Sequence, residues 1–170
     1  CGAVGIVAPH IETLSQAEEL AKAARFGLGG RGYAGSTRWA GYATKKMPDL
    51  LAQSQDETVV IAQKEEPAAV EIADSIARIE GIDGLFAGPA DLSVGMGYKN
   101  QDSTELKAAL KKVGVAAKEN GKGYASFIGD ADQAKSWAED YGVNMFFVGS
   151  EHSFMRNKAN EISLLVKEIS

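Results

Sequence analysis

Five short runs of apolar residues recur along the 170-residue chain, with few polar interruptions. Such near-continuous runs are typical of strands buried on both faces, whereas strands with one solvated face alternate. They predict strands over residues 3–8, 58–63, 82–87, 123–128 and 144–149.

Helical periodicity fills the intervals between these strands. Ser15 and Glu18 fit a capping box that opens the first helix. Pro67 suits the first position of a second helix that Gly81 can end, and Asp130 suits the cap of a later one. The apolar stripes after the first helix are Val70, Ala73 and Ala77; Leu106, Leu110, Val113 and Ala117; and Ala134, Trp137, Ala138 and Tyr141. A last helix is predicted over about 157–169.

Alternation of strand and helix predicts parallel strands joined by right-handed crossovers. Five strands complete a doubly wound open sheet, whereas a (β/α)8 barrel needs eight strands and about 250 residues. Spacing alone slightly favours the open sheet. The chain opens on CGAVGIVAP without an initiating Met, as if within a strand. We therefore expect a piece of a longer polypeptide.

Composition narrows the class of protein. The chain is 45% hydrophobic and 24% charged with a net charge of −5, which argues against binding to nucleic acid or anionic membranes. No apolar run approaches the roughly 20 residues that span a bilayer. The single cysteine, Cys1, cannot form an internal disulfide, so the expected location is the cytoplasm.

Gly27–Gly32 matches the G-x-G-x-x-G pattern of dinucleotide-binding proteins. In those proteins the pattern follows a strand and opens a helix, where the helix N-terminus meets the pyrophosphate. Here it follows a predicted helix. A flexible loop is therefore favoured over a dinucleotide site.

Polar side chains appear where the second predicted strand ends. Gln63 and Glu65 lie two residues apart and therefore point to the same face, while Lys64 points toward the flanking helices. A lysine that forms a Schiff base would have to face the substrate. A polar strand end without function is the competing interpretation.

Asp91 follows the next predicted strand. The carboxyl ends of adjacent parallel strands lie about 4.8 Å apart, so Glu65 and Asp91 could share one cation. Their oxygen ligands suit Mg²⁺, Mn²⁺ or a related hard ion rather than structural zinc. As an alternative, Asp91 could cap a short helical segment over residues 92–94.

The two histidines, His10 and His152, follow the first and last predicted strands. Two histidines make no strong metal signature. We expect each to form hydrogen bonds, either within its loop or to a residue that itself contacts the metal or substrate.

Several stretches together resemble the HpcH/HpaI aldolase family, the metal-dependent pyruvate aldolases. They are GIVAPHIET (5–13), GGRG (29–32), QKE (63–65), GIDGLFAGPADLS (81–93) and VGSEHS (148–153). Of these, GIDG-x-F-x-GPADLS is specific, and the others are weak alone. The resemblance covers essentially the whole chain.

This resemblance implies a (β/α)8 TIM barrel, commonly a hexamer with helices exchanged between subunits. Residues 1–170 would form the C-terminal portion of one barrel domain, strands four to eight. Glu65 and Asp91 match the metal-ligating acids, for Mg²⁺, Mn²⁺ or Co²⁺, and Gln63 matches the catalytic glutamine beside them. Ala90 and Asp91 match the backbone N–H groups that hold the pyruvate carboxylate, where Gly88 admits the substrate and Pro89 stiffens the turn.

The implied reaction is a divalent-metal-dependent retro-aldol cleavage of a 2-keto-4-hydroxy acid to pyruvate and an aldehyde, with the cation stabilising the enolate. The expected partners are that 2-keto acid and other copies of the chain. The family's catalytic histidine and keto-binding arginine, on earlier strands, have no counterpart here. Two alternatives stay open: an enzyme of the citrate-lyase-β or malyl-CoA-lyase type, and an inactive scaffold.

Overall fold

A computed structural model describes residues 2–27 and 29–167. All five apolar runs form strands, with slightly shifted ends in four of them. The strands are β1 (Gly5–Ala8), β2 (Val59–Lys64), β3 (Gly84–Ala87), β4 (Gly123–Ile128) and β5 (Met145–Val148).

The five strands form one parallel sheet in the order β1-β2-β3-β4-β5. Right-handed crossovers between successive neighbours place every connecting helix on the same face. A doubly wound fold instead needs a point where the strand order reverses, with helices on both faces. The open-sheet alternative is therefore wrong, and the sheet is a curled half-barrel.

Apolar packing on the two faces of the sheet agrees with a half-barrel that has all its helices on one face. A large cluster lies between the sheet and the helices and includes Val60, Leu85, Leu110 and Val113. The opposite face carries a small cluster of Ile61, Phe86 and Ala125, which Val7 and Met145 join. This face is the interior in a barrel.

Eight α-helices occur in the described residues. They are α1 (Leu14–Ala24), α2 (Met47–Glu57), α3 (Pro67–Glu71), α4 (Ala73–Ala77), α5 (Pro89–Gly95), α6 (Thr104–Glu119), α7 (Ala134–Tyr141) and α8 (Glu151–Lys167). None of them combines the length and apolar character that crossing a bilayer requires.

The start of α1 corrects the predicted capping box of Ser15 and Glu18. The cap is Thr13, whose hydroxyl accepts a hydrogen bond from the Gln16 N–H at 3.2 Å. The Gln16 side chain accepts the Thr13 N–H in return, at 2.9 Å. The box therefore begins two residues earlier, because Thr13 has the extended backbone that a cap requires.

Other predicted helices differ at their ends. The helix expected from Pro67 breaks at Ile72, whose φ of −104° and ψ of 13° are not helical, and Gly81 lies in the turn before β3. Asp130 caps a 3₁₀ turn ahead of α7. The last helix starts at Glu151 rather than 157 because Ser150 and Ser153 exchange hydrogen bonds across its first turn. The predictions at Cys1, Leu28 and Ile169 lie outside the described residues.

Candidate active site

The end of β2 carries two polar side chains on the same face, as predicted. The Gln63 amide Nε2 donates to Glu65 Oε1 at 2.6 Å. Gln63 is half-buried, and only 8% of Glu65 is exposed. The amide therefore holds one oxygen of the carboxylate in place.

The other oxygen of Glu65 meets His10, in the loop after β1. Glu65 Oε2 accepts the His10 backbone N–H at 3.1 Å and lies 3.2 Å from the ring nitrogen Nδ1. His10 has a φ of 54°, in the left-handed region that residues other than glycine seldom adopt. The loop hydrogen bond expected of His10 is made by its backbone N–H. Its partner could not be foreseen, because the contact joins residues 55 apart in the chain.

Lys64 turns to the other side of β2, as the alternation predicts. Its side chain is fully buried, and Nζ donates to the Ile11 carbonyl at 3.0 Å. Burial lowers the pKa of Lys64 to about 8, because the charged ammonium is poorly solvated there. The Ile11 N–H bonds to the Gln63 carbonyl at 3.2 Å, so the same loop is fastened to β2 twice more.

The chain after β3 brings Asp91 to the same edge of the sheet. The Gly88 N–H continues the ladder by bonding to the Lys64 carbonyl at 3.1 Å, and Pro89 then opens α5. Gly88 is the N-cap, and Asp91 lies within the first turn of the helix. The alternative in which Asp91 itself caps a segment over 92–94 is therefore wrong.

Gly88 leaves a space between the two acids. A Cβ at Gly88 would lie 3.3 Å from Asp91 Oδ2 and 3.4 Å from Glu65 Cγ. Both acidic side chains therefore border one small volume that any other residue would fill. Asp91 borders this volume with a carboxylate oxygen and Glu65 with its Cγ, and two carboxylates from such neighbouring residues are a donor set that fits a hard divalent cation.

Two acids are all that the site offers. Within residues 2–27 and 29–167, no group of three or more His, Cys, Asp or Glu side chains could hold a metal ion. Mg²⁺ in proteins commonly uses one or two carboxylates and keeps water or substrate oxygens for its other positions. The pair thus fits a cation whose remaining coordination positions are filled by water or substrate oxygens.

A cavity of about 420 Å³ opens beside Asp91. Its wall includes the predicted site residues apart from Glu65, together with aromatic side chains from neighbouring elements: Gln63, Gly88, Pro89, Ala90, Asp91, Phe86, Phe127 and Trp137. No described side chain caps the first turn of α5, so the N–H groups of Ala90 and Asp91 stay available to an acceptor. Sequence reasoning missed the aromatic wall, which brings together residues from separate elements.

The two remaining candidate features lie outside this cluster. His152, in the first turn of α8, has Nδ1 3.6 Å from Glu151 Oε1. The Gly-rich loop follows α1 rather than a strand, which removes the context of a dinucleotide site. Arg31 in that loop stacks on Phe26, with its guanidinium 4.7 Å from the ring centre.

Comparison with known proteins places the chain among lyases. A family model described as HpcH/HpaI aldolase/citrate lyase matches residues 1–157. A hydroxypyruvate/pyruvate aldolase of Delftia acidovorans is 33% identical over 165 residues, which are 93% of this chain and 59% of that protein. A 4-hydroxy-2-oxo-heptane-1,7-dioate aldolase of Escherichia coli is 30% identical over 168 residues, 95% of this chain and 62% of that protein.

Comparison with solved structures identifies the same family. The fold is similar to that of a HpcH/HpaI aldolase/citrate lyase family protein from Burkholderia cenocepacia, with a TM-score of 0.88 and 28% identity. That alignment covers 98% of this chain and 66% of the other. The chain therefore spans about three-fifths of the length of the curated relatives it matches.

Proposed function

Because the chain belongs to the HpcH/HpaI aldolase/citrate lyase family, as its match over residues 1–157 shows, we propose that it is the C-terminal part of a metal-dependent aldolase. The proposed reaction cleaves a 2-keto-4-hydroxy acid to pyruvate and an aldehyde. Relatives named as aldolases, at 33% and 30% identity, favour this over a citrate-lyase-like reaction.

Two acids at one edge of the sheet are the main support for this reaction. Glu65 and Asp91 come from different strand ends, and both border the space at Gly88. In parallel barrels the carboxyl ends of the strands form the active site, because the loops that follow them converge there. Two acids at that edge, beside a cavity, are what a 2-keto acid and a cation require.

The reaction breaks the C3–C4 bond of the substrate. The 4-hydroxyl loses its proton and becomes the aldehyde carbonyl, while the bonding electron pair passes to the three-carbon fragment. That fragment takes up a proton at C3 and leaves as pyruvate.

Each site residue has a role that its position supports. Glu65 and Asp91 would hold Mg²⁺, Mn²⁺ or Co²⁺, which when bound supplies Lewis acidity for the keto acid. Gln63 orients Glu65 through the 2.6 Å hydrogen bond. The N–H groups of Ala90 and Asp91 would bind the substrate carboxylate beside Gly88 and Pro89. The buried Lys64 faces away and forms no Schiff base.

The test uses a purified polypeptide that contains this sequence together with the rest of its barrel. We expect Mn²⁺-dependent decarboxylation of oxaloacetate that chelation abolishes, and cleavage of 4-hydroxy-2-keto acids to pyruvate. Trapping of pyruvate on the protein by borohydride would instead establish a Schiff base. Turnover of acyl-CoA substrates alone would favour the citrate-lyase type, and no turnover of either class would favour a scaffold.

A further inference from the structure

The carboxylate of Glu65 accepts two hydrogen bonds and contacts the ring of His10. Its Oε1 accepts from Gln63, and its Oε2 meets both the backbone N–H and the ring Nδ1 of His10, at 3.1 and 3.2 Å. A carboxylate offers roughly four lone-pair positions. Two hydrogen bonds and the ring contact therefore orient Glu65 before any cation arrives, and they leave lone-pair positions for it.

The loop that supplies His10 is itself fixed to β2. The N–H of Ile11 bonds to the Gln63 carbonyl, and the Ile11 carbonyl accepts from Lys64 Nζ. Both bonds are made by Ile11, the residue that follows His10. They maintain the left-handed backbone of His10, which would otherwise relax to a more favourable conformation.

Lys64 reaches this loop from the helix side of the strand. Its side chain is fully buried, whereas the His10 side chain is 68% exposed. Lys64 thus bonds to the loop from the helix side of the sheet. On the opposite side, the loop bonds to Glu65 through His10.

We propose that His10 is a positioning residue that sets the orientation of Glu65 for the cation, and that Lys64 maintains His10 in place. This inference rests on the proposed function, since it assumes that Glu65 ligates the cation. Groups that orient a metal ligand typically change metal affinity 10- to 100-fold when they are removed.

The experiment titrates Mn²⁺ into the metal-free full-length protein by calorimetry. His10→Ala should weaken Mn²⁺ binding about tenfold, because the 3.2 Å contact of the ring with Glu65 Oε2 is lost. Lys64→Met keeps the length of the buried side chain and removes its hydrogen bond, so it should weaken binding to a smaller extent. In oxaloacetate decarboxylation, the Mn²⁺ concentration for half-activation should rise while the rate at saturating Mn²⁺ stays near that of the wild type.

Two further variants separate positioning from folding. His10→Asn retains a side-chain donor and tolerates the left-handed backbone, so it should restore much of the affinity. His10→Gly relieves backbone strain without restoring the donor, so it should bind Mn²⁺ as weakly as His10→Ala. His152→Ala is the matched control and should bind normally, because β5 lies three strand spacings, roughly 14 Å, from β2.

The outcomes are distinct. Wild-type affinity in His10→Ala, or tighter binding, would overturn the positioning role and leave the proposed function intact. Equal weakening in His10→Asn and His10→Ala would also overturn it. Failure of the wild-type protein to bind Mn²⁺ would remove the proposed function and this inference together.

Discussion

Gly88 has no side chain at a point that both acidic residues border. Its φ of −85° is open to any residue, so the glycine is needed for space rather than for backbone freedom. A methyl group there would contact Asp91 Oδ2 and Glu65 Cγ at 3.3 and 3.4 Å. The same methyl group would occupy the volume that we assign to the cation.

We therefore expect Gly88→Ala to lower Mn²⁺-dependent oxaloacetate decarboxylation about tenfold or more, with little change in melting temperature. Gly32→Ala is the matched control, because a Cβ at Gly32 has no neighbour within 4 Å. Full activity in Gly88→Ala would show that the space at Gly88 has no part in the reaction.

The buried hydroxyl of Tyr124 should make the stability of the fold depend on pH. Its hydroxyl is buried and donates to the Leu110 carbonyl at 2.9 Å, and burial raises its pKa well above the usual 10. Above pH 10 the unfolded chain ionises this tyrosine and the folded protein does not, so the folded state loses stability as pH rises.

Tyr124→Phe should cost about 1 kcal/mol of unfolding free energy at pH 7, through the lost hydrogen bond. The variant cannot ionise at this position, so its deficit relative to wild type should shrink above pH 10. Urea unfolding of both proteins at pH 7 and pH 10.5 measures this. A constant difference between the two pH values would contradict the assignment.

Some contacts of the candidate site can be predicted from the sequence and others cannot. Gln63 and Glu65 were predicted to share a face because side chains alternate along any strand. The contact of His10 with Glu65 was not predictable, since it depends on a left-handed residue in a loop. That placement requires a contact between distant parts of the chain.

Among the elements, α1 offers a direct test of the corrected cap. Thr13→Ala removes the hydroxyl that accepts the Gln16 N–H, and should destabilise the protein by about 1 kcal/mol. Ser15→Ala, at the position first predicted, should change stability little, because Ser15 lies inside the helix. Chemical denaturation of the two variants distinguishes them, and the reverse ranking would restore Ser15 as the cap.

Strands were more predictable than helices for a physical reason. The bounds of β4 match the prediction at both ends, because the strand begins at Gly123 and continues into the buried residues Tyr124, Ala125 and Ser126. Helix α2 was not predicted because it buries only Leu50 and Ser54 and so leaves a weak stripe. The early start of α8 depends on Ser150 and Ser153, a cap that carries no apolar signal.

The two edge strands and helix α8 present surfaces that favour association with other protein. β1 and β5 each pair with a single strand among the described residues. Helix α8 buries none of its described residues and exposes more than half of Phe154, Met155, Ile162, Leu164 and Leu165. Unpaired strand edges and apolar faces tend to associate with further protein.

We therefore expect residues 1–170 to be found with further chain that completes the barrel, or in an oligomer. Light scattering of the isolated 170-residue polypeptide should report masses above that of one chain, or aggregation. A stable, soluble monomer of this length would contradict the half-barrel interpretation of its surfaces.

If Glu65 and Asp91 share one divalent cation, a calorimetric titration should detect it. Mn²⁺ added to the metal-free full-length protein should bind at one site per chain. Glu65→Gln and Asp91→Asn keep the shape and remove one charge each, so each should weaken binding tenfold or more. The double variant should lose little beyond either single one, because two ligands of one ion act together. Wild-type Mn²⁺ affinity in either single variant would contradict the claim.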